Sequence, residues 1–220
     1  MYIPAQFAED RVETLHAFLN GHPFATLVTN GVTNGVTNGN NGPEATHVPA
    51  LFHPEIGAQG ALRCHLARAN SHLKSLDSAS VLAIFHGPQH YVTPSWYPSK
   101  QEHGKVVPTW NYLAVHVRGR ARLFEDREEL VAHVTALTQR NEQGFETPWS
   151  VSDAPPDYIE NLTRAIVGVE IAIESIEGKA KVSQNRPEQG RRGVIEGMRR
   201  LGTDAAGEMA GHVERGGFPR

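Results

Sequence analysis

The chain has 220 residues, a single cysteine and a formal charge of −3. At about 150 residues per domain this gives one or two domains, large enough to bury a core without disulfides or structural metal. The lone Cys64 excludes a disulfide framework, a cysteine-based zinc ribbon and an iron–sulfur cluster, and so points to a cytoplasmic protein. Twenty-one basic against twenty-four acidic residues is not the balance of a nucleic-acid binder. No run approaches the roughly 18 apolar residues of a membrane span, and MYIPAQF at the start lacks the marks of a signal peptide, so no membrane partner is expected.

Twenty-one glycines and fourteen prolines favour turns and short strands over a helical bundle. Asp10 and Glu13 form a capping-box pattern for a helix over about 10–20, with Val12, Leu15, Phe18 and Leu19 as its stripe. Residues 24–29 and 46–53 read as two strands of a hairpin. Between them Val-Thr-Asn-Gly occurs three times, at 28–31, 32–35 and 36–39, offering three competing turns. With no charge or aromatic ring for gripping a ligand, the tract at 28–42 reads as an expanded hairpin tip.

A strand at 60–66 precedes a short helix over about 70–77. Residues 80–86 form a strand that Gly87-Pro88 breaks, and 89–96 resumes it. A long strand or bent pair covers 107–123. Asp126 and Glu129 then cap a helix to about residue 140, and another follows Pro155-Pro156 to about 164. Val167, Val169, Ile171 and Ile173 alternate with Gly168, Glu170, Ala172 and Glu174 in the clearest strand of the chain. The segment from about Lys179 is basic, glycine-rich and weakly helical, and residues 203–220 read as a flexible tail. Strands with helices at irregular intervals imply an antiparallel barrel or sheet with peripheral helices, mainly β within an α+β class.

Standard chemical signatures are missing: there is no G-x-G-x-x-G after a strand, no P-loop, no G-x-S-x-G elbow and no H-E-x-x-H. Cys64 and His65 are strand neighbours pointing to opposite faces, so they form no nucleophile–base pair. Among twelve histidines, His86 and His90 are separated by Gly87-Pro88, and no H-x-H pair seeds a metal site on a strand, so no metal is expected.

HLARANSH at 65–72 is more informative. A strand ends, Arg68 follows, Asn70 or Ser71 suits the N-cap of the next helix, and Lys74 lies one turn inside. Free amides, the positive end of the helix dipole and two cations could together cradle a phosphate. Three further clusters, YVTPSWYPSK at 91–100, VPTWNY at 107–112 and KVSQNR at 181–186, are rich in side chains that bind flat polar ligands. Trp96, Tyr97, Trp110 and Tyr112 are four of the eight Trp and Tyr residues, a density that suggests a pocket or an interface.

MYIPAQF, HLARAN, FHGPQHYVTPSWYPSK, VPTWNY and EGKAKVSQNR, in this order, resemble the PaiB-type FMN-binding negative transcriptional regulators over about residues 1–200. The resemblance implies a flavin-binding split β-barrel over 1–202, related to pyridoxamine-phosphate oxidase-like proteins, that forms a homodimer with FMN at the subunit interface. It places the FMN phosphate near Arg68, Ala69 and Asn70, with His65 and Lys74 beside them. Ser95, Trp96 and Tyr97, together with Thr109, Trp110 and Asn111, would line the flavin or the dimer seam. Ser183, Gln184, Asn185 and Arg186 would close the site. Ser71 stands where the family often has proline, and the Val-Thr-Asn-Gly tract lies outside the resemblance.

The resemblance implies a regulator, with flavin as a sensed or structural ligand. The alternatives are an FMN-dependent oxidoreductase with a nicotinamide reductant and a small-molecule substrate, and a haem-binding or haem-degrading barrel. Flavin supplies its own redox chemistry, and no residue is an obvious catalytic acid or base; Arg186, His65 and Tyr97 are the candidates. The net charge also divides unevenly. From Lys179 onward nine basic residues face five acidic ones, leaving twelve against nineteen in residues 1–178. The basic segment would serve the FMN phosphate or a salt-sensitive DNA contact, and the first use is favoured.

Overall fold

Alternation of buried and exposed side chains resolves into eight strands and seven α-helices among residues 1–30 and 42–219, which the computed structural model describes. In chain order these are β1 (Ala8–Glu9), α1 (Val12–Gly21), β2 (Phe24–Asn30), β3 (Pro43–Pro49), β4 (Leu51–His53), β5 (Ala61–Ala67), α2 (Leu73–Leu76), β6 (Ser80–Val92) and α3 (Ser99–Glu102). There follow β7 (Thr109–Phe124), α4 (Arg127–Glu142), α5 (Pro156–Arg164), β8 (Ile166–Lys181), α6 (Glu188–Leu201) and α7 (Asp204–Arg215). The strands hydrogen-bond in the order β3-β2-β6-β7-β8-β5-β4, with β1 added to β8, and this path does not close. The fold is α+β and mainly β, an antiparallel split barrel with peripheral helices. Two compact units are present: residues 1–22, 85–116 and 176–220 form the first, and residues 23–84 and 117–175 the second.

In the second unit β5 and β8 pair antiparallel with Cys64 opposite Val169. Leu62, Cys64 and Leu66 bury one face of β5, and Val167, Val169 and Ile171 do the same for β8. The register sets Arg63 opposite Glu170. The Arg63 guanidinium donates to Glu170 at 2.5 and 2.7 Å and to Glu129 of α4 at 2.9 Å, and Arg122 donates to the same two carboxylates at 3.3 and 3.1 Å. A cross-strand ion pair thus also fixes α4 on the sheet. The Asp126 carboxylate caps α4 by accepting the Glu129 amide at 2.9 Å.

The first unit is organised by small residues on α6. A Cβ on Gly193 would lie 1.9 Å from the Trp96 carbonyl oxygen, and one on Gly197 would lie 2.3 Å from the Trp96 indole. The Trp96 segment therefore packs directly on the helix backbone. Gly202, in the left-handed region at φ 67°, ends α6, and the Thr203 hydroxyl caps α7 by accepting the Ala206 amide at 3.3 Å. Beyond α7, Phe218 packs edge-on against Phe18 of α1, with ring centroids 5.1 Å apart.

Several elements differ from the expectations of the sequence. Where a flexible tail was expected, α7 folds over Asp204–Arg215 and buries Ala206, Met209, Ala210 and Val213, a helical stripe whose alanines give little hydropathy. The α1 helix starts at Val12, and Asp10 does not cap it; Glu9 instead accepts the Arg11 amide and guanidinium. Gly87-Pro88 does not break β6, where Gly87 admits the Phe18 ring to 2.7 Å of its would-be Cβ. The expected strand at 46–53 is two strands, and the helix over 70–77 shrinks to four residues because Asn70 closes a turn, its Oδ1 accepting the His72 amide at 3.0 Å. Most of the Val-Thr-Asn-Gly tract lies outside the described residues.

An alanine at Gly193 tests the α6 packing. In an open helix Gly→Ala raises stability by about 1 kcal/mol, whereas overpacking costs about 1–3 kcal/mol, so Gly193→Ala is expected to lower the melting temperature by a few degrees. An unchanged or higher melting temperature would show that α6 does not rest on Trp96.

Candidate functional site

The sequence-derived residues divide between the two units. His65, Arg68, Ala69, Asn70 and Lys74 belong to the second. Arg68, Ala69 and Lys74 are exposed at the turn after β5. The Arg68 guanidinium is already engaged: it donates to Glu125 at 2.6 Å, to the Arg164 carbonyl at 2.9 Å and to the Ile166 carbonyl at 3.1 Å. Asn70 donates to the Thr46 hydroxyl at 3.4 Å. The expected cap by Asn70 or Ser71 is absent, since His72 holds the N-cap position of α2 and no side chain caps it. A four-residue helix contributes little dipole. This turn offers a phosphate exposed cations and polar side chains rather than the helix terminus that the sequence suggested.

His72 is a residue the sequence reading missed. It is buried beside this turn, its Nδ1 within 2.8 Å of the Thr46 hydroxyl and its Nε2 within 2.8 Å of the Thr29 hydroxyl. One imidazole therefore ties α2 to both strands of the β2–β3 hairpin. His65 lies on the β5 face that meets α4, and its Nδ1 stands 3.1 Å from Nε2 of His133. Burial lowers the pKa of His65, and burial together with neighbouring positive charge pushes that of His133 down to about 4. Burial likewise pushes the Cys64 thiol up to about 12, consistent with an inert core residue. Among the described residues no group of three or more His, Cys, Asp or Glu side chains is placed to hold a metal.

The remaining candidates belong to the first unit, where three contacts join the separate motifs. Asn111, fully buried, donates from Nδ2 to the Ser183 hydroxyl at 3.0 Å, and that hydroxyl donates back to Asn111 Oδ1 at 3.2 Å. The Lys181 ammonium donates to the Thr109 hydroxyl and, at 2.7 Å, to the Trp110 carbonyl. The Arg186 guanidinium stacks on the Tyr97 ring, 5.1 Å from its centroid. VPTWNY, SWY and KVSQNR thus converge. Ser183 has a φ of 62°, a strained value for a non-glycine residue, consistent with a constrained turn after β8.

Not every candidate is free to meet a ligand. Gln184 brackets the end of β8, accepting the Val182 amide and donating to the Gln6 and Ala180 carbonyls. Ser95 accepts from Lys100 at 2.9 Å, and Trp96 is occupied by α6. Asn185 is exposed. Trp110 is 47% exposed, with its Nε1 donating to Gln89 at 3.0 Å and its ring edge-on to Tyr91 at 6.0 Å. Gln89 was not legible in the sequence, because an amide that orients a neighbouring indole leaves no motif. Tyr97 is 3% exposed and its hydroxyl is buried with no hydrogen-bond partner among the described residues. Aromatic faces at Tyr97 and Trp110, and Lys181 and Arg186 with no carboxylate partner among the described residues, form a donor set that fits a planar ligand with an anionic group.

Residues 1–175 match the family model described as "Putative FMN-binding domain". An uncharacterised protein of Emericella nidulans is 34% identical, over 98% of this chain and 98% of its own. Protease synthase and sporulation protein PAI 2 of Bacillus subtilis is 31% identical, over 97% of each chain. Among solved structures, a conserved hypothetical protein of Mycobacterium tuberculosis superposes with a TM-score of 0.55 at 14% identity, covering 86% of this chain and 95% of that one. The FAD- and haem-binding protein of Mycobacterium smegmatis gives 0.53 at 18% identity, covering 78% and 71%. The fold is therefore the split barrel found among flavin-binding proteins. The chain belongs to the FMN-binding domain family, in its PaiB-type branch.

The His65–His133 pair makes a pH prediction. His133 is neutral when folded down to about pH 4, whereas in the unfolded chain it protonates near 6.5. Between these values the unfolded state binds more protons, so stability falls as pH drops, by roughly 1.4 kcal/mol per pH unit for one full proton. Urea midpoints measured from pH 7 to pH 4 should decline, and His133→Gln should flatten that decline. An unchanged slope in the variant would remove His133 from the account.

Proposed function

We propose that this protein is a homodimeric, cytoplasmic FMN-binding split barrel that acts as a negative transcriptional regulator, with the flavin as its sensed or structural ligand. The observation that carries the reading is the family match over residues 1–175. Full-length similarity to PAI 2 and the flavin named for the M. smegmatis neighbour support it. When bound, FMN supplies the redox chemistry of its ring. Within the second unit, Asn70, Lys74 and Arg68 would meet its phosphate. Contact between Arg68 and a phosphate requires exchange of the Arg68–Glu125 pair. Both side chains are about half exposed, so the pair is worth little in water and the exchange is cheap. In α6, Arg191 donates to the Val213 and Glu214 carbonyls and Arg199 pairs with Glu214, so the reading assigns these two arginines no DNA contact.

The reading is tested by titrating FMN and riboflavin into the flavin-free protein. Arg68→Ala should weaken FMN binding by about tenfold and riboflavin binding much less, and Glu125→Gln should tighten FMN by freeing Arg68. Equal losses for both ligands would remove Arg68 from the phosphate. Consumption of NADH or NADPH at a catalytic rate by the flavin-loaded protein would replace the regulator with an oxidoreductase.

A further inference from the structure

Four large apolar side chains of the second unit are exposed within one short stretch of chain: Phe145 at 64%, Trp149 at 45%, Tyr158 at 55% and Leu162 at 49%. The backbone that carries the first two is fixed, since the Trp149 amide donates to Glu142 of α4 at 2.9 Å and the Ser150 amide to Asp153 at 2.8 Å. An open groove of about 480 Å³ lies between α4, residues 150–154 and α5, with Val131, Val151, Ala154, Pro156 and Ile159 as its apolar lining. Trp149 and Tyr158 are the chain neighbours of the lining residues Ser150 and Ile159, so the two rings stand at its borders.

The inner side of α5 is already spent: Thr163 is buried, and Ile159 and Glu160 are half-buried beside α4. Its outer side exposes Asp157, Tyr158, Asn161, Leu162 and Arg164. At helical spacing Tyr158 and Leu162, one turn apart, form an apolar edge of that face, and Asp157 and Arg164, two turns apart, form a charged edge. Among the described residues Asp157 pairs with no cation, and the Arg164 guanidinium pairs with Glu160 of its own helix.

Area and charge together say what covers this face. The four apolar side chains leave roughly 400 Å² in water, close to the apolar share of one side of a standard interface of about 800 Å² per partner. A partner of a single charge sign would meet a like charge at either Asp157 or Arg164. A second copy of α5, laid antiparallel across a two-fold axis, instead sets Tyr158 of each copy against Leu162 of the other and Asp157 of each against Arg164 of the other, every contact being made twice.

We infer that the outer side of α5, with the rim of the groove, is a self-association face that takes a second copy of this chain, helix antiparallel to helix. The face shares no residue with those assigned to the flavin, and the inference holds whether or not the flavin also lies at a subunit seam.

The test is sedimentation equilibrium of the full-length protein over a dilution series. Leu162→Glu should weaken association about a hundredfold, because a buried anchor is lost twice, and should halve the mass at concentrations where the parent is associated. Asp157→Arg and Arg164→Asp should each weaken it about tenfold by setting like charges together. An equimolar mixture of those two variants should reassociate, since both charge contacts across the mixed pair are then of opposite sign. Melting temperatures confirm that each variant is folded. A fall from four chains to two in Leu162→Glu supports the face beside a separate dimer seam, and a fall from two to one makes it the seam itself. A parent of two chains that Leu162→Glu leaves at two keeps the homodimer and removes this face. A monomeric parent, single-charge variants that associate as the parent does, or a mixture that stays dissociated would likewise overturn it.

Discussion

The continuity of β8 as a single strand is the constraint on which most of the molecule depends. Sixteen residues, Ile166–Lys181, neighbour β7 and β5 and also receive β1. In the second unit the strand supplies Val167, Val169 and Ile171 to the core and Glu170 to the arginine network that holds α4. In the first it carries Lys179 and Lys181, and the left-handed Ser183 then turns the chain toward α6. The same strand therefore fixes the core by alternation and positions the cations by where it ends.

The distribution of charge follows from that ending. Acidic side chains in the second unit are consumed by arginines: Glu170 and Glu129 by Arg63 and Arg122, Glu160 by Arg127 and Arg164, Glu125 by Arg68. Among the described residues the first unit pairs Arg11 with Glu9, Arg199 with Glu214 and the N-terminal ammonium with Glu177, and no carboxylate there pairs with Lys179, Lys181 or Arg186. The basic excess of the C-terminal segment is thus not a diffuse surface charge. Part of it is absorbed in joining α6 to α7, and part, Lys179, Lys181 and Arg186, stands where β8 ends.

The fold class was legible because alternation in β8 and the capping residue Asp126 are local signals that tertiary packing did not overrule. The C-terminal helices were not, because their packing stripe uses Gly193, Gly197, Ala206 and Ala210, residues that carry little hydropathy and gain meaning only against Trp96 and in the packing of α6 with α7. Among site residues, it was the resemblance and not composition that put VPTWNY and KVSQNR at one site; the structure joins the two segments through Asn111–Ser183 and Thr109–Lys181. The phosphate cradle at residues 68–74 was less faithful. Asn70 preferred a local turn to a helix cap, and Arg68 found Glu125, a partner 57 residues away that no local pattern announces.

The central claim is that this split barrel holds FMN, and the most direct measurement is the absorption spectrum and mass of the ligand that the purified protein carries or takes up. The account predicts flavin bands near about 370 and about 450 nm and a released mass equal to that of FMN, at one per chain. A Soret band, or a protein that stays colourless after incubation with FMN, would contradict it.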